Sequence, residues 1–499
     1  MARTPTLQQA SCIAAAVDTA IQMLKIEACA GAGKTSTLTM MAEANTAPSL
    51  YLAFNKVTAN EAAEKFPNHV TCRTTHSLAY AKFGTKLRDK LSRPTGGYVN
   101  VAGTGSEIGK KYKLSPIELS KTEGLSTAFL GLLIRSTVAR FEQSADQAIG
   151  QHHVPRGELM ELQMKTGANM SYTEGVILAG AKALWKDRID YSSNVLATHD
   201  TYLKMYQLSK PKLAGFDVLY IDEAQDSTPC VMDIILQQRG RMKIVFVGDA
   251  RQAIYQWRGS VNAMQLIDCE SRSLTKSFRY GQPIADIATA VLEGALRIEG
   301  NDKISSVASF QCVDKSKPYT RLFRTNAALL QAAITAIQGR KRISIEIDVK
   351  DFVKLLTSAV ALKEGITKDV KHESLLPYRT WESMTEEAKH APELSRIVKV
   401  VASGEADTWI QTLTSHVNSN EPEVTFTSCH KSKGRDWPQV CVEGDFKSAY
   451  NEDGDWIGLS TEEQNLLYVA CTRAIDRLEF NQTTSEYLAR EKSEELEEA

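Results

Sequence analysis

The stretch Ala28-Cys29-Ala30-Gly31-Ala32-Gly33-Lys34-Thr35 grows out of a short strand-like run, KIEACA, and leads into TSTLTMMAEA, whose composition suits a helix. Strand, glycine turn and helix in that order predict a phosphate cradle, because the unpaired amides and the positive dipole end of a helix both favour an anion. Across Ala30, Gly31, Ala32, Gly33, Lys34, Thr35 and Ser36, the two glycines let the backbone come close to phosphate oxygens. Lys34 brings a mobile positive charge to the β and γ phosphates, and Thr35 offers a hydroxyl to Mg2+. ATP and Mg2+ are the expected cofactors. Ala28 stands where the general P-loop pattern has its first glycine, so the motif leans on its strand and helix context.

Outward from this loop, SLYLAFNKVTANEAAEKF repeats the strand-to-helix transition, while FDVLYIDEAQD and KIVFVGD each put polar residues directly after a strongly apolar run. Strands buried on both faces of a parallel sheet require that pattern. Asp222, at the exit of its strand, can hold Mg2+, and Glu223 beside it can orient or deprotonate an attacking water. Arg279 in LTKSFRYG and Arg473 in YVACTRA end apolar segments and are candidates for positive charge against the γ phosphate. If they reach across a cleft, closure completes the site and opening dismantles it, which suits a motor better than a kinase.

Between about 85 and 195 the chain turns helical, with SPIELSKTEGLSTAFLGLLIRSTVARF and YTEGVILAGAKALWKDRIDY. From 271 an α/β pattern resumes and predicts a second sheet. Residues of about 340–420 are mixed and charged, before the strand-like EVTFTS, and read as a second helical insertion.

At roughly 150 residues per domain, 499 residues suggest about three units. With 43% apolar and 24% charged residues, a collagen, a wholly disordered chain and a disulfide-stapled miniprotein are excluded. Lys plus Arg is 59 against 60 Asp plus Glu, so a nucleic-acid partner would need locally concentrated positive surface. Nine cysteines without a CxxC pair read as reduced thiols rather than zinc or iron–sulfur ligands. MARTPTLQQASCIAAAVDTA lacks the apolar stretch of a secretory leader, and no segment has the roughly 18 uninterrupted apolar residues of a membrane helix. The expectation is a cytoplasmic protein, nuclear if the source is eukaryotic, with no membrane partner.

Further stretches carry more in order than alone. They are Phe54-Asn55-Lys56, Thr74-Thr75-His76, GDARQAIYQWRG from Gly248 to Gly259, Ser277-Phe278-Arg279-Tyr280, TSCHKSKGRDW from Thr427 to Trp437, and EQNLLYVACTRA from Glu463 to Ala474. With the P-loop, whose AxxGxGKT form starts on alanine in that family, the set resembles the UvrD/Rep/PcrA-like branch of superfamily 1A DNA helicases. It is similar also to the F-box DNA helicase group, over nearly the entire chain.

The resemblance implies an α/β fold of two RecA-like P-loop motor domains with two mainly helical insertions. The first motor domain would take 1–84 and 196–270 with insertion 85–195, and the second 271–339 and 423–499 with insertion 340–422. It implies that Gln9 reads adenine, although Gln8 could take that register. Phe278 would stack on the base, Asp436 would approach the sugar from the place of the family's usual glutamate, and Gln252 would sense the γ phosphate. Phe54, Asn55, Lys56, Thr75 and His76 would face DNA from the first lobe, with Tyr255, Trp257 and Arg258; Thr427 and His430 would do so from the second. Glu463 would help arrange the interlobe site, whereas Tyr468 reads as structural.

The implied activity is an ATP-dependent DNA helicase and single-stranded DNA translocase moving 3′ to 5′, acting in replication, repair or recombination. Its partners would be single-stranded DNA, single-strand/duplex junctions and replication or recombination proteins. A protein-displacing or recombination-remodelling translocase with weak unwinding is the alternative. A catalytically silent DNA-binding scaffold fits the intact Lys34, Thr35, Asp222, Glu223, Arg279 and Arg473 less well.

Overall fold

Apolar runs with polar exits become two parallel sheets in the computed structural model, which describes residues 4–91, 103–120, 123–254, 262–378, 380–388 and 392–498. In chain order the strands are β1 Met23–Ala28, β2 Ser49–Ala53, β3 Val70–Thr74, β4 Ile117–Glu118, β5 Gly124–Leu125, β6 Val218–Ile221 and β7 Lys243–Gly248. They continue with β8 Glu270–Leu274, β9 Val307–Ser309, β10 Tyr319–Phe323, β11 Ile343–Ile345, β12 Val424–Ser428, β13 Trp437–Val442 and β14 Ala474–Glu479. The first sheet runs β3-β2-β6-β7-β1-β8 and the second β11-β12-β10-β13-β14-β9. Every pairing within them is parallel. β2 and β6 are buried along their whole length, which is why they read as unbroken apolar runs.

Parallel order places the functional loops together, since ligands gather in the crevice outside the carboxyl ends of such strands. β1 exits into the phosphate loop, β2 into Phe54, β3 into Thr75, β6 into Asp222 and β7 into Asp249. Two short strands lie across the expected boundaries. β8 (ESRSL) pairs with β1 from Leu24–Glu270 to Ala28–Leu274, so the first sheet passes the expected limit at 270/271. β11 pairs with β12, so the second sheet reclaims residues expected in the 340–422 insertion. Both lie at sheet edges, where one covered flank suffices and no long apolar run is needed.

The first insertion contains helices Gly105–Lys111, Thr127–Gln143, Arg156–Thr166 and Ser171–Ile189, with a small antiparallel β4–β5 hairpin. The helical expectation across SPIELSKTEGLST gives way there; the long helix starts only at Thr127, where the Ser126 hydroxyl accepts from the Phe129 amide. Gly131 makes backbone contact possible, because a Cβ would lie 2.0 Å from the Gly105 carbonyl oxygen. Leu130, Ile134, Phe141, Ile177 and Leu184 give this insertion its own core. Among the described residues the second insertion has none of its own. Its helices Val349–Lys363, Trp381–Ala388, Pro392–Ala402 and Ala406–Ser415 bury Leu356 and Trp409 in a core shared with Leu330 and Phe426 of the second lobe. Among the described residues no helix is long and apolar enough to cross a membrane.

Candidate active site

Gly31 at φ 77° and Gly33 at φ 74° occupy the left-handed region. Gly33 starts the helix Lys34–Ala44 without a side-chain cap, leaving its first amides to face an anion. Lys34 Nζ lies 3.2 Å from Glu223 Oε1. The Thr35 hydroxyl donates to Asp222 Oδ2 at 3.3 Å, and the Tyr51 hydroxyl donates to the same oxygen at 2.6 Å. Thr35 and Asp222 thus set two hard oxygens side by side, a fit for a divalent cation that takes its remaining ligands from water and phosphate.

Glu223 is a non-glycine residue at φ 52°, ψ 43°, a costly backbone state of the kind found at functional sites. Its own amide donates to Asp222 Oδ1 at 2.9 Å. The two carboxyls are pushed apart in acidity. Burial and the Glu223 charge raise Asp222, while for Glu223 burial is outweighed by Lys34 and Lys433, which hold it well below the usual range. Burial works against the Lys34 charge, yet Glu223, Asp249 and Asp222 carry it above its ordinary value.

These groups line a cleft of about 630 Å³ between the lobes, together with Gln252, Phe278, Arg279, Lys433 and Arg473. A larger cavity of about 1170 Å³ lies at the start of β10, β12 and β13, away from all of them. Arg473 is enclosed, and donates to the Val469 and Arg435 carbonyls and the Thr472 hydroxyl. Burial and the Arg279 guanidinium push its pKa down to about 9. Arg279 lies 3.0 Å from Asp436 Oδ2 and donates to the Thr472 carbonyl at 3.1 Å. Lys433 donates to both Asp226 oxygens, at 2.8 and 2.6 Å, and to the Gln252 carbonyl at 2.6 Å. Tyr468 OH donates to Asp249 Oδ2 at 3.1 Å and accepts from the Ala30 amide at 2.9 Å.

A protein-family profile described as an AAA domain matches residues 9–258, half of the chain. The chain belongs to the AAA-domain family. This AAA-domain protein is 28% identical to F-box DNA helicase 1 of Gallus gallus, over 94% of its own length and 48% of the relative's. It is 29% identical to F-box DNA helicase protein 1 of Schizosaccharomyces pombe, over 94% and 56% of the two chains. ATP-dependent DNA helicase PcrA of Leuconostoc citreum matches at 29% identity over 21% of this chain and 15% of the relative. The chain spans about half the length of the curated F-box relatives it matches. It is homologous to the UvrD/PcrA/F-box DNA helicases, consistent with superfamily 1A, and its AAA domain implies nucleotide binding.

Most other expected site residues of this AAA-domain protein surround the same cleft. A Cβ on Gly33 would sit 3.4 Å from the Phe278 ring and 3.8 Å from Gln9 Nε2, so both flank the phosphate loop. Gln9 also donates to Thr37 Oγ1, whereas Gln8 is engaged with Thr275. Gln252 donates to Asp249 Oδ2 at 2.7 Å. Asp436 holds Arg279. Asn55 caps its helix through the Thr58 amide and lines the cleft with Phe54, and Lys56 is exposed next to it. Thr75 and His76 line a pocket of about 100 Å³ that also touches Asp222 and Glu223, and His76 Nε2 pairs with Asp200 at 3.2 Å. His430 is half-buried on the turn after β12.

Thr427 is corrected. It lies within β12 with no exposed surface and a buried hydroxyl without a partner among the described residues, so it offers a DNA strand nothing to touch. Glu463 is engaged bidentately by Arg324 inside the second lobe rather than across the cleft. Tyr255, Trp257 and Arg258 lie outside the described residues. Tyr51, Asp226, Asp249, Lys433 and Tyr468 belong to the site without having been singled out for it. DEAQD, GDARQ and KSKG contain three of them beside residues that were read, but nothing local says that Lys433 reaches Asp226 from the other lobe.

Proposed function

We propose that the protein is an ATP-dependent DNA helicase and single-stranded DNA translocase that moves 3′ to 5′. The observation that carries this reading is the meeting, in one cleft, of Lys34, Thr35, Asp222 and Glu223 with Lys433 and Arg473 from the second lobe. Thr35 and Asp222 would hold Mg2+, which neutralises charge on the β and γ phosphates. Lys34 exchanges Glu223 for a phosphate oxygen, and the Glu223 carboxylate freed from that ion pair accepts a proton from water. Arg279 and Arg473 stabilise the charge that develops on the transferred group. Gln9 and Phe278 stand where the base would lie. Once the anion shared across the seam is lost, the cations on the two lobes no longer have a common partner and the cleft opens.

Alternating closure becomes translocation if each lobe grips DNA in turn, Lys56 and His76 on the first and His430 on the second. Phosphate contacts of this kind hold a strand without reading its sequence. Single-strand/duplex junctions are then the substrate, with replication or recombination proteins as partners. The test is ATP turnover with and without single-stranded DNA in wild type and Lys34→Ala. A loss of roughly 10²–10³-fold is expected from deleting one charge at a phosphoryl site, and undiminished DNA-stimulated turnover would sink the assignment. Duplexes carrying only a 3′ or only a 5′ tail read the direction, and displacement of a bound protein without strand separation would favour the remodelling translocase.

A further inference from the structure

The loop joining helix Thr127–Gln143 to helix Arg156–Thr166 in the first insertion gathers one carboxylate and two imidazoles. His152 Nε2 lies 2.6 Å from Asp146 Oδ2, and His153 Nε2 lies 3.1 Å from the same oxygen. All three ligand atoms fall within 4.8 Å of one another, and the two ring centroids are 4.0 Å apart. Ligands bound to one tetrahedral zinc at about 2.0–2.1 Å stand about 3.3 Å from each other, so the cluster needs only a small outward shift of the exposed His152. An aspartate–histidine ion pair accounts for the first contact. His153 Nε2 is also 3.2 Å from the Ser144 hydroxyl, and together the two rings and the carboxylate converge as a nitrogen, nitrogen and oxygen donor set of the kind that holds a cation.

The loop is also built to hold these side chains. Lys204 Nζ donates to the Ser144 and Asp146 carbonyls at 2.9 and 2.5 Å and fixes the backbone under the carboxylate. A Cβ at Gly150 would lie 2.8 Å from the His152 ring, so the glycine makes the room that lets this ring reach Asp146. His153 is 3% exposed, with its Nδ1 3.3 Å from the Gly150 carbonyl oxygen. The Gly150 amide also donates to Nδ1 at 3.0 Å, so Nε2 holds the ring proton toward Asp146; a metal at Nε2 takes its place as the proton moves to Nδ1 and donates to that carbonyl, the outer contact that metal-binding histidines ordinarily make. The Asp146 carboxylate beside both rings favours a cation at this point. Lys204 works in the opposite direction, as a positive charge close to a second one, and sets the affinity at a modest level.

We propose that Asp146, His152 and His153 form a zinc-binding site that staples this loop, with water as the fourth ligand on the exposed His152 side. Two imidazoles and a carboxylate suit zinc, whereas Mg2+ and Ca2+ call for oxygen ligands throughout. The staple has a route to the rest of the molecule. Lys204 belongs to the helix His199–Leu208, whose Asp200 pairs with His76 beside the cleft. Zinc therefore stiffens the mount of His76, a residue that faces DNA in the function proposed above.

The test is equilibrium dialysis of the full chain, without a polyhistidine tag, against Zn2+ alone, followed by metal analysis and amide hydrogen exchange. Wild type should bind one zinc per chain and exchange more slowly across 144–155. His152→Ala, at an exposed position, and Asp146→Asn, which keeps the side chain's shape, should each weaken binding by at least about 10-fold and abolish the slowed exchange. Their ATP turnover without zinc should match wild type, which establishes that both remain folded. Equal zinc affinity in all three proteins, or zinc uptake with no protection across 144–155, would overturn the site. Weakening by His152→Ala alone would overturn it as well, since Asp146 would then be an ion-pair partner and not a ligand.

Discussion

A methyl group at Gly31 would meet two obstacles: a backbone at φ 77°, and the Ser277 hydroxyl and Arg279 Cβ at 2.5 and 2.7 Å. At Gly434, with φ 82°, it would meet only the first, because nothing lies within 4 Å. Gly434→Ala should therefore cost about 1 kcal/mol, the left-handed backbone penalty alone. Gly31→Ala should cost about 1–3 kcal/mol more and displace Arg279 from the phosphate loop. Urea unfolding of the two variants checks the difference. A second residue-scale prediction separates binding from chemistry. Glu223→Gln keeps the shape, removes the partner of Lys34 and removes the base. Nucleotide affinity should hold or rise while turnover falls by about 10²-fold or more, as read by equilibrium binding beside single-turnover hydrolysis. Parallel loss of both would mean that Glu223 shapes the loop and does not take the proton.

The helix Thr461–Cys471 shows what an element adds. Ser460 caps it through the Glu463 amide, and every residue from Asn465 to Cys471 is buried. The unbroken apolar run from Leu466 to Cys471 marks a helix buried all round, and Tyr468 is core by burial. Its hydroxyl nevertheless ties the second lobe to the phosphate loop through the Ala30 amide and to Asp249. Tyr468→Phe leaves the ring and orphans the amide, a loss of about 1–3 kcal/mol. Because the strut joins the loop to the helix that leads into Arg473, kcat for ATP should fall more than KM rises. Steady-state kinetics beside chemical denaturation separates this from a purely structural role, in which stability drops and kcat holds.

At the scale of the molecule, the lobes are pinned where Lys433 meets Asp226, 2.6 Å apart. Burial pushes the Asp226 carboxyl up to about 6 against the pull of Lys433. Below that pH the carboxyl is neutral and Lys433 loses its charged partner, so ATP turnover should fall between pH 7 and 5. Stability responds with the opposite sign. The folded pKa lies above the starting value of 3.8, so the contribution of Asp226 to stability is full below about 4 and is lost as pH rises through about 6. Circular dichroism at pH 5 should then show an intact fold with reduced turnover. Asp226→Asn should remove this step from the pH profile and leave turnover low and flat across it. An unchanged profile would detach the pair from lobe closure. The two insertions also touch, through a bidentate Arg135–Glu373 pair with distances of 2.6 and 2.5 Å. With both side chains about one-third exposed, solvent screens it, and it orients the insertions more than it stabilises them.

The sequence by itself determined the chemistry of the first lobe. Glycines, a lysine and a threonine after an apolar run, and paired carboxylates after another, need only their neighbours to become a phosphate loop and an acidic strand exit, so local order suffices. It also determined the α/β class, because strands buried on both faces have no other way to be written. Tertiary structure decided what depends on distant pairing. β8 is too polar and β11 too short to announce its sheet, Thr427 sinks into β12 although its motif reads as a surface, and Lys433 and Tyr468 find partners some 200 and more residues away. Asp146 and His152 are near in sequence, yet only the loop closed by Lys204 and Gly150 turns them on one point with His153. The reason is common to all of these. Residue type fixes what a side chain can bind, whereas burial and packing fix which partner it meets.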